Sequence, residues 1–172
     1  MNKRIDEQRE KENRLAGLYE EYFDRIAHYI YVRIGDRHEA EDLAGEVFLK
    51  ALESLKSYKE RGIPMQAWLF RIAHNASVDH LRKKGRVTSV SIEEVTIMAR
   101  EDPAAVAEKN IDMEKVREAM QKLTPKQREV VQLRFFGSLS SKEVGAILHK
   151  SDGAVREMQR AAVERLRILL GW

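Results

Sequence analysis

The sequence contains no cysteine, and its 172 residues include only three prolines, nine glycines and two tryptophans. Without cysteine there is neither a disulfide framework nor a thiolate-bound zinc site. So few helix breakers leave room for long helices. No apolar run approaches the ~18 residues a membrane-spanning helix needs, and the charged stretch Met1 to Arg14 lacks the apolar centre of a secretory signal. The expectation is therefore a cytoplasmic protein without membrane insertion. No HExxH pair, nucleophile elbow or phosphate-binding glycine loop occurs. Neither an enzyme activity nor a cofactor or metal is expected, and His28, His38, His74, His80 and His149 read as solvated or capping residues.

What is present points to helices with wide wet faces. Hydrophobic residues make up 43%, enough for a packed core, and charged residues 34%, above the usual ~25%. The net charge is +3 with a sequence pI near 9.1, a weak pointer to a polyanionic partner. The length allows one domain or two small ones.

From Leu15 the apolar residues fall at 15, 18, 19, 22, 23, 26 and 30, the stripe of an amphipathic helix. Gly35 ends it, and Asp36 with Glu39 forms a capping box for the next helix. That helix carries Ala40, Leu43, Ala44, Val47, Phe48, Ala51, Leu52 and Leu55 on one face. After a break at Ser57 to Ile63, Pro64 suits the first position of a third helix that runs to about Lys83, with Trp68, Leu69, Ile72, Ala76 and Leu81 available to the core. These helices make a small bundle over about residues 10–85. From Thr88 to about Ile111 the periodicity fails, and five acids face two bases over 88–110. This reads as an acidic linker with room for one helical turn at Val95–Ala99. Helices return from Val116 to Leu123, from the Thr124-Pro125-Lys126-Gln127 start to Phe136, and from the Ser140-Ser141-Lys142-Glu143 box to Leu148. His149 and Lys150 then turn the chain, and Ser151 caps a last helix reaching about Leu170.

The stretch Ser140 to Arg167 matches a helix-turn-helix unit. On its second helix Val155, Met158, Ala162, Leu166 and Leu169 form the core side. Asp152, Arg156, Gln159 and Arg160 cluster roughly 120° away at about 100° per residue, where arginine can pair with guanine and glutamine with adenine. A plain helical hairpin with a solvated basic face fits the same residues. A second constellation joins Trp68 and Phe70 to a basic helix end, Arg71, Arg82, Lys83, Lys84 and Arg86 against Asp79 alone, suited to phosphates and unpaired bases, although Trp68 also fits a core position. Third, Glu39, Glu41, Asp42 and Glu46 line the wet side of the second helix, for solubility or for a partner.

Taken in order, these segments resemble the extracytoplasmic-function (ECF) sigma factors, the minimal group of the bacterial sigma-70 family, over nearly the whole chain. Ala40 to Leu52 is similar to the family's polymerase-docking helix, region 2.2. Ala67 to Asn75 with Asp79 to Arg82 is similar to regions 2.3 and 2.4. Leu123 to Val130 with Gly153 to Arg156 is similar to region 4. The resemblance implies an all-α fold of two small helical domains joined by a linker: 1–87 for region 2, 88–111 for the linker and 112–172 for region 4. It implies docking on core RNA polymerase, with Asp42, Glu46, Phe48 and Lys50 at the beta-prime clamp, Phe48 supporting from the core, and the beta flap as a further contact surface. Recognition of the −10 element falls to Tyr58, Lys59, Arg61, Arg71, Asn75, Asp79, Arg82 and Lys83, the loop Ser57 to Ile63 receiving a flipped base. Recognition of the −35 element falls to Lys142, Ser151, Asp152, Arg156, Gln159 and Arg160. The linker would thread toward the RNA exit channel, and an anti-sigma factor is an expected partner. Two residues depart from the family pattern: Gly45, where a glutamine is usual, and Glu157-Met158, where a serine-arginine pair is common. A free-standing helix-turn-helix regulator is the alternative function, and it would bind its operator alone.

Overall fold

Gly35 adopts a left-handed backbone (φ 81°) and its N–H closes on the Tyr31 carbonyl, stopping the first helix. Glycine reaches that conformation without the Cβ clash that other residues meet. The computed structural model describes residues 2–85 and 115–172. The linker expected at 88–111, its turn at Val95–Ala99 and the basic residue Arg86 lie outside them. All regular structure among the described residues is helical, as expected. The chain divides at Thr88 and Ser89 into two compact units.

The first unit holds α1 (Lys3–Ile34), α2 (Arg37–Ser54) and α3 (Met65–Lys84), each packed on the other two. α1 begins at Lys3, well ahead of the apolar stripe, and so corrects the bundle start near residue 10. Its charged first half is made of good helix formers and is tied down: Lys11 Nζ donates to the Tyr58 carbonyl at 2.9 Å, and Arg14 pairs with Glu60 at 3.5 Å. Ile26, Ile30 and Ile34 of α1, Ala40, Ala44, Val47 and Ala51 of α2, and Leu69, Phe70 and Ala73 of α3 are buried. The alanine side of α2 lets the helices approach closely, and aromatic rings fill what remains. Phe70 meets Tyr29 edge-on at 5.7 Å, and Phe48 meets Tyr19 at 5.0 Å and Phe23 at 6.1 Å.

Three local expectations change. Asp36 caps α2 by accepting from the Glu39 N–H, which holds its carboxyl below the usual range. Glu39, however, turns away from the cap and binds across to α3, accepting from Lys84 Nζ and pairing with His80 Nε2 at 3.1 Å. Pro64 stands at the N-cap of α3, one residue before its first turn. Leu52, placed in the apolar stripe of α2, is 53% exposed, because neither α1 nor α3 covers that edge.

The second unit holds α4, described over residues 115–121, α5 (Pro125–Phe135), α6 (Ser141–Leu148) and α7 (Asp152–Leu170). Both capping boxes close. Thr124 exchanges hydrogen bonds with Gln127, and Ser140 with Glu143. Ser151 accepts from the Ala154 N–H at the start of α7. Arg128 donates to the carbonyls of Met120, Gln121 and Leu123, satisfying orphan acceptors at the C-terminal end of α4. Leu123, Val131 and Ala162 form a buried cluster with Met120 and Leu166 against it.

The turn between α6 and α7 depends on Gly145. His149 is left-handed (φ 55°), and the Lys150 N–H reaches the Gly145 carbonyl at 2.8 Å. A Cβ on Gly145 would lie 2.5 Å from the Lys150 carbonyl oxygen. That contact fixes how tightly α7 follows α6.

Candidate nucleic-acid interface

On α3, Arg71, Asn75, Asp79 and Arg82 recur at intervals of four, four and three residues, which lays them along one strip of the helix. All four are exposed, and the opposite side (Leu69, Phe70, Ala73, Ala76 and Ser77) is buried. Arg82 stays within 3.9 Å of Asp79. Lys83 is exposed beside the strip, and these cations occupy the last turn, where the helix dipole favours positive charge. Lys84, part of the same basic run, is held by Glu39. The structure therefore brings together the helical members of the expected −10 group.

The loop members separate. Lys59 and Arg61 are exposed, but Tyr58 is 7% exposed, its ring 4.6 Å from that of half-buried Trp68 and its hydroxyl donating to the Ile63 carbonyl. Burial pushes the Tyr58 phenol upward, which keeps it protonated. Tyr58 shapes the loop from beneath and offers no face to a ligand. Histidines also depart from the solvated picture: Tyr29 Oη and His74 Nδ1 hydrogen-bond at 3.3 Å, and His80 packs against Glu39.

α2 presents Asp42, Glu46 and Lys50 on its outer side and buries Phe48 against α1. Leu49, 61% exposed, lies between the two acids and Glu53. With exposed Leu52 it makes the face part apolar, a feature the sequence pattern did not separate from the core stripe. Gly45 borders this face with open space where a side chain would stand.

In the second unit, α6 and α7 form the helix-turn-helix, and an open groove of about 770 Å³ runs along it. Ser141, Arg156, Gln159, Arg160 and Arg134 line the groove, among others. Ser141 Oγ donates to Asp152 Oδ1, Arg156 Nε donates to Ser141 Oγ at 3.3 Å, and Arg156 Nη2 pairs with Asp152 Oδ2 at 3.2 Å. Asp152 thus orients Arg156. Gln159 accepts from Arg134 Nε at 2.8 Å. Arg160 is engaged on both sides, by Glu157 at 2.7 Å and Glu164 at 3.2 Å. The hydrogen bonds from Arg160 hold the Glu157 carboxyl below its usual range, and Arg160 is correspondingly raised. Lys142 is exposed, and Ser151 is occupied with its cap. Arg134 and Ser141 lie outside α7, and nothing in the local spacing of that helix points to them.

Among the described residues no cluster of three histidine or carboxylate side chains could hold a metal ion, and no helix is long and apolar enough to cross a membrane.

Residues 18–87 match the family described as Sigma-70 region 2, and residues 119–167 match Sigma-70, region 4. The chain is 34% identical over 156 residues to the ECF RNA polymerase sigma factor BldN of Streptomyces coelicolor, covering 89% of this chain and 59% of BldN. It is 30% identical to the RNA polymerase sigma factor YlaC of Bacillus subtilis, covering 87% and 88%, and 30% identical to the ECF RNA polymerase sigma factor SigD of Mycobacterium tuberculosis, covering 90% and 76%. In fold it is similar to the sigma factor RpoE co-crystallised with the anti-sigma factor NepR from Bartonella quintana (TM-score 0.70, 20% identity, 91% of this chain and 96% of that one). It is also similar to CnrH in complex with the cytosolic domain of CnrY (TM-score 0.63, 21% identity, 93% and 89%). These matches support a sigma factor and give no support to a free-standing regulator. With both sigma modules present in order, and with relatives that share most of its length, the chain belongs to the ECF RNA polymerase sigma factors.

Proposed function

We propose that this sigma factor divides its work between its two units. The first docks on the beta-prime clamp of core polymerase through Asp42, Glu46, Lys50 and Leu49 on α2, with Phe48 stiffening the helix from behind. It then holds the −10 element along Arg71, Asn75, Asp79 and Arg82 of α3. Asn75 and Asp79 face bases, and Arg82 and Lys83 face phosphates. Lys59 and Arg61 flank a pocket whose floor rests on Tyr58. Unstacking a base into it costs a few kcal/mol, offset by the pocket and by phosphate contacts. The second unit sets α7 in the major groove of the −35 element with Lys142, Asp152, Arg156 and Gln159 at the contact, and it touches the beta flap. The protein acts in the cytoplasm as a specificity subunit without chemistry of its own.

The observation that carries this reading is the exposed polar strip on α3. Arg71, Asn75, Asp79 and Arg82 fall in one line there, running into the cationic last turn, an arrangement suited to bases and phosphates. Run-off transcription with core polymerase on genomic fragments tests it. The double variant Asp42→Lys and Glu46→Lys should keep its thermal melt and lose promoter-dependent transcripts. Undiminished transcription from that variant would overturn the docking assignment.

An anti-sigma protein is the proposed second partner. Two fold relatives were solved in complex with protein partners, one of them named an anti-sigma factor. The part-apolar face of α2 gives such a partner a target that core polymerase would otherwise occupy. Purification from the native cell should recover it bound, and recovery with polymerase alone would count against it.

A further inference from the structure

Arg134 stands on α5, outside the helix-turn-helix, yet its guanidinium reaches into the groove. Nε donates to Gln159 Oε1 at 2.8 Å, and Nη1 donates to the Leu139 carbonyl. The backbone bond anchors the guanidinium, and the side-chain bond takes one of the two lone pairs of Gln159 Oε1 and fixes the amide. No further protein partner falls on Gln159 among the described residues, so its amide nitrogen keeps both N–H donors for a base.

An unconstrained glutamine reads adenine with both ends of its amide, accepting from N6–H₂ and donating to N7. Here a cation already sits on the accepting end. An adenine amino group would bring its own donor toward an engaged oxygen beside a positive charge. Guanine presents two acceptors, N7 and O6, to the same edge and meets only donors.

We propose that Arg134 sets the base preference of Gln159. By holding Oε1 beside a positive charge it disfavours a second donor there, so the glutamine reads chiefly through its N–H donors and favours guanine over adenine. This rests on the two-module reading above, in which α7 enters the groove. Arg134 acts through Gln159 and is a positioning residue.

The test uses holoenzyme assembled from the full chain and core polymerase. Fragments randomised over the upstream element are selected and sequenced. The native protein should show one position where guanine dominates and whose preference vanishes with Gln159→Ala. With Arg134→Met, adenine at that position should rise against guanine by about tenfold, within the range of one base-edge contact, while other positions hold. Gln159→Glu keeps the bond to Arg134 and removes the donors. It should replace guanine by cytosine, whose N4 donates to a carboxylate. Far-UV circular dichroism checks folding, and if Arg134→Met fails to fold, Arg134→Leu takes its place with the same expected rise of adenine. Unchanged preference at that position in the folded variants overturns the proposal. So does uniform weakening across all sequences with a shallower salt slope in Arg134→Met, which would make Arg134 a phosphate contact. Failure of the two-module reading looks different: native holoenzyme would then select no upstream element, or Arg156→Ala and Gln159→Ala would both leave it intact.

Discussion

Gly145 and Gly45 both sit within helices, and the space around them gives opposite expectations. At Gly145 a methyl group would meet the Lys150 backbone at 2.5 Å. Gly145→Ala should therefore cost about 1–3 kcal/mol, as overpacking does, read as a lower urea midpoint. At Gly45 nothing lies within 4 Å of the added carbon, so Gly45→Ala should raise stability by roughly 0.5–1 kcal/mol through helix propensity alone. His28 supplies a pH dependence. Burial lowers its pKa below 6.5, so the unfolded chain takes up the proton first. Stability is then lost as pH falls from about 6.5 through the folded-state value, and the loss levels off below it. Asp36 and Glu157 titrate below their ordinary values of 3.8 and 4.5 and fall outside that window. The difference in urea midpoint between the native chain and His28→Gln should shrink or reverse between about pH 7.5 and about pH 5.5. A difference that does not vary with pH would remove His28 as the cause.

α6 is eight residues long, too short to persist alone. Its capping box and its packing through Val144 and Ile147 hold it in place. Ser140→Ala should destabilise the protein by about 1 kcal/mol, and Ser140→Gly by only a few tenths. Chemical denaturation of the two variants side by side distinguishes a lost cap from a general loss of packing. α1 makes the opposite case. Its first half has almost no buried side chain and persists as a continuation of a packed helix, with Lys11 and Arg14 bound to the α2–α3 loop. α4 ends where Arg128 collects its carbonyls, so an arginine that looked like part of a family motif has a local structural task.

In the whole molecule, charge is spent unevenly. Arg160 and Lys84 are held by nearby carboxylates, Arg82 has only the exposed, longer pair with Asp79 at 3.9 Å, and Arg71 and Lys83 are exposed in the first unit. If Arg82 and Lys83 hold phosphates, replacing both by alanine should reduce the slope of log affinity against log salt by about 1.4–1.8, at 0.7–0.9 per phosphate. Promoter binding by the holoenzyme over a salt series measures this. A slope equal to that of the native protein would place both side chains in free solvent.

Local order was written in the sequence because local physics decides it. Gly35, Thr124, Ser140 and Ser151 mark helix ends through hydrogen bonds spanning three or four residues, and all four act as the pattern requires. The core side of α7 followed from a 3.6-residue period in the same way, with Val155 and Ala162 buried. Long-range pairing decided the rest. Glu39 left its capping box because α3 brings Lys84 and His80 within reach, Tyr58 went under its loop because Trp68 offers a ring, and Leu52 stayed exposed because no helix covers its edge. Arg134 could not be assigned from spacing at all: its partner lies 25 residues away, and only the packing of α5 on α7 brings the two together.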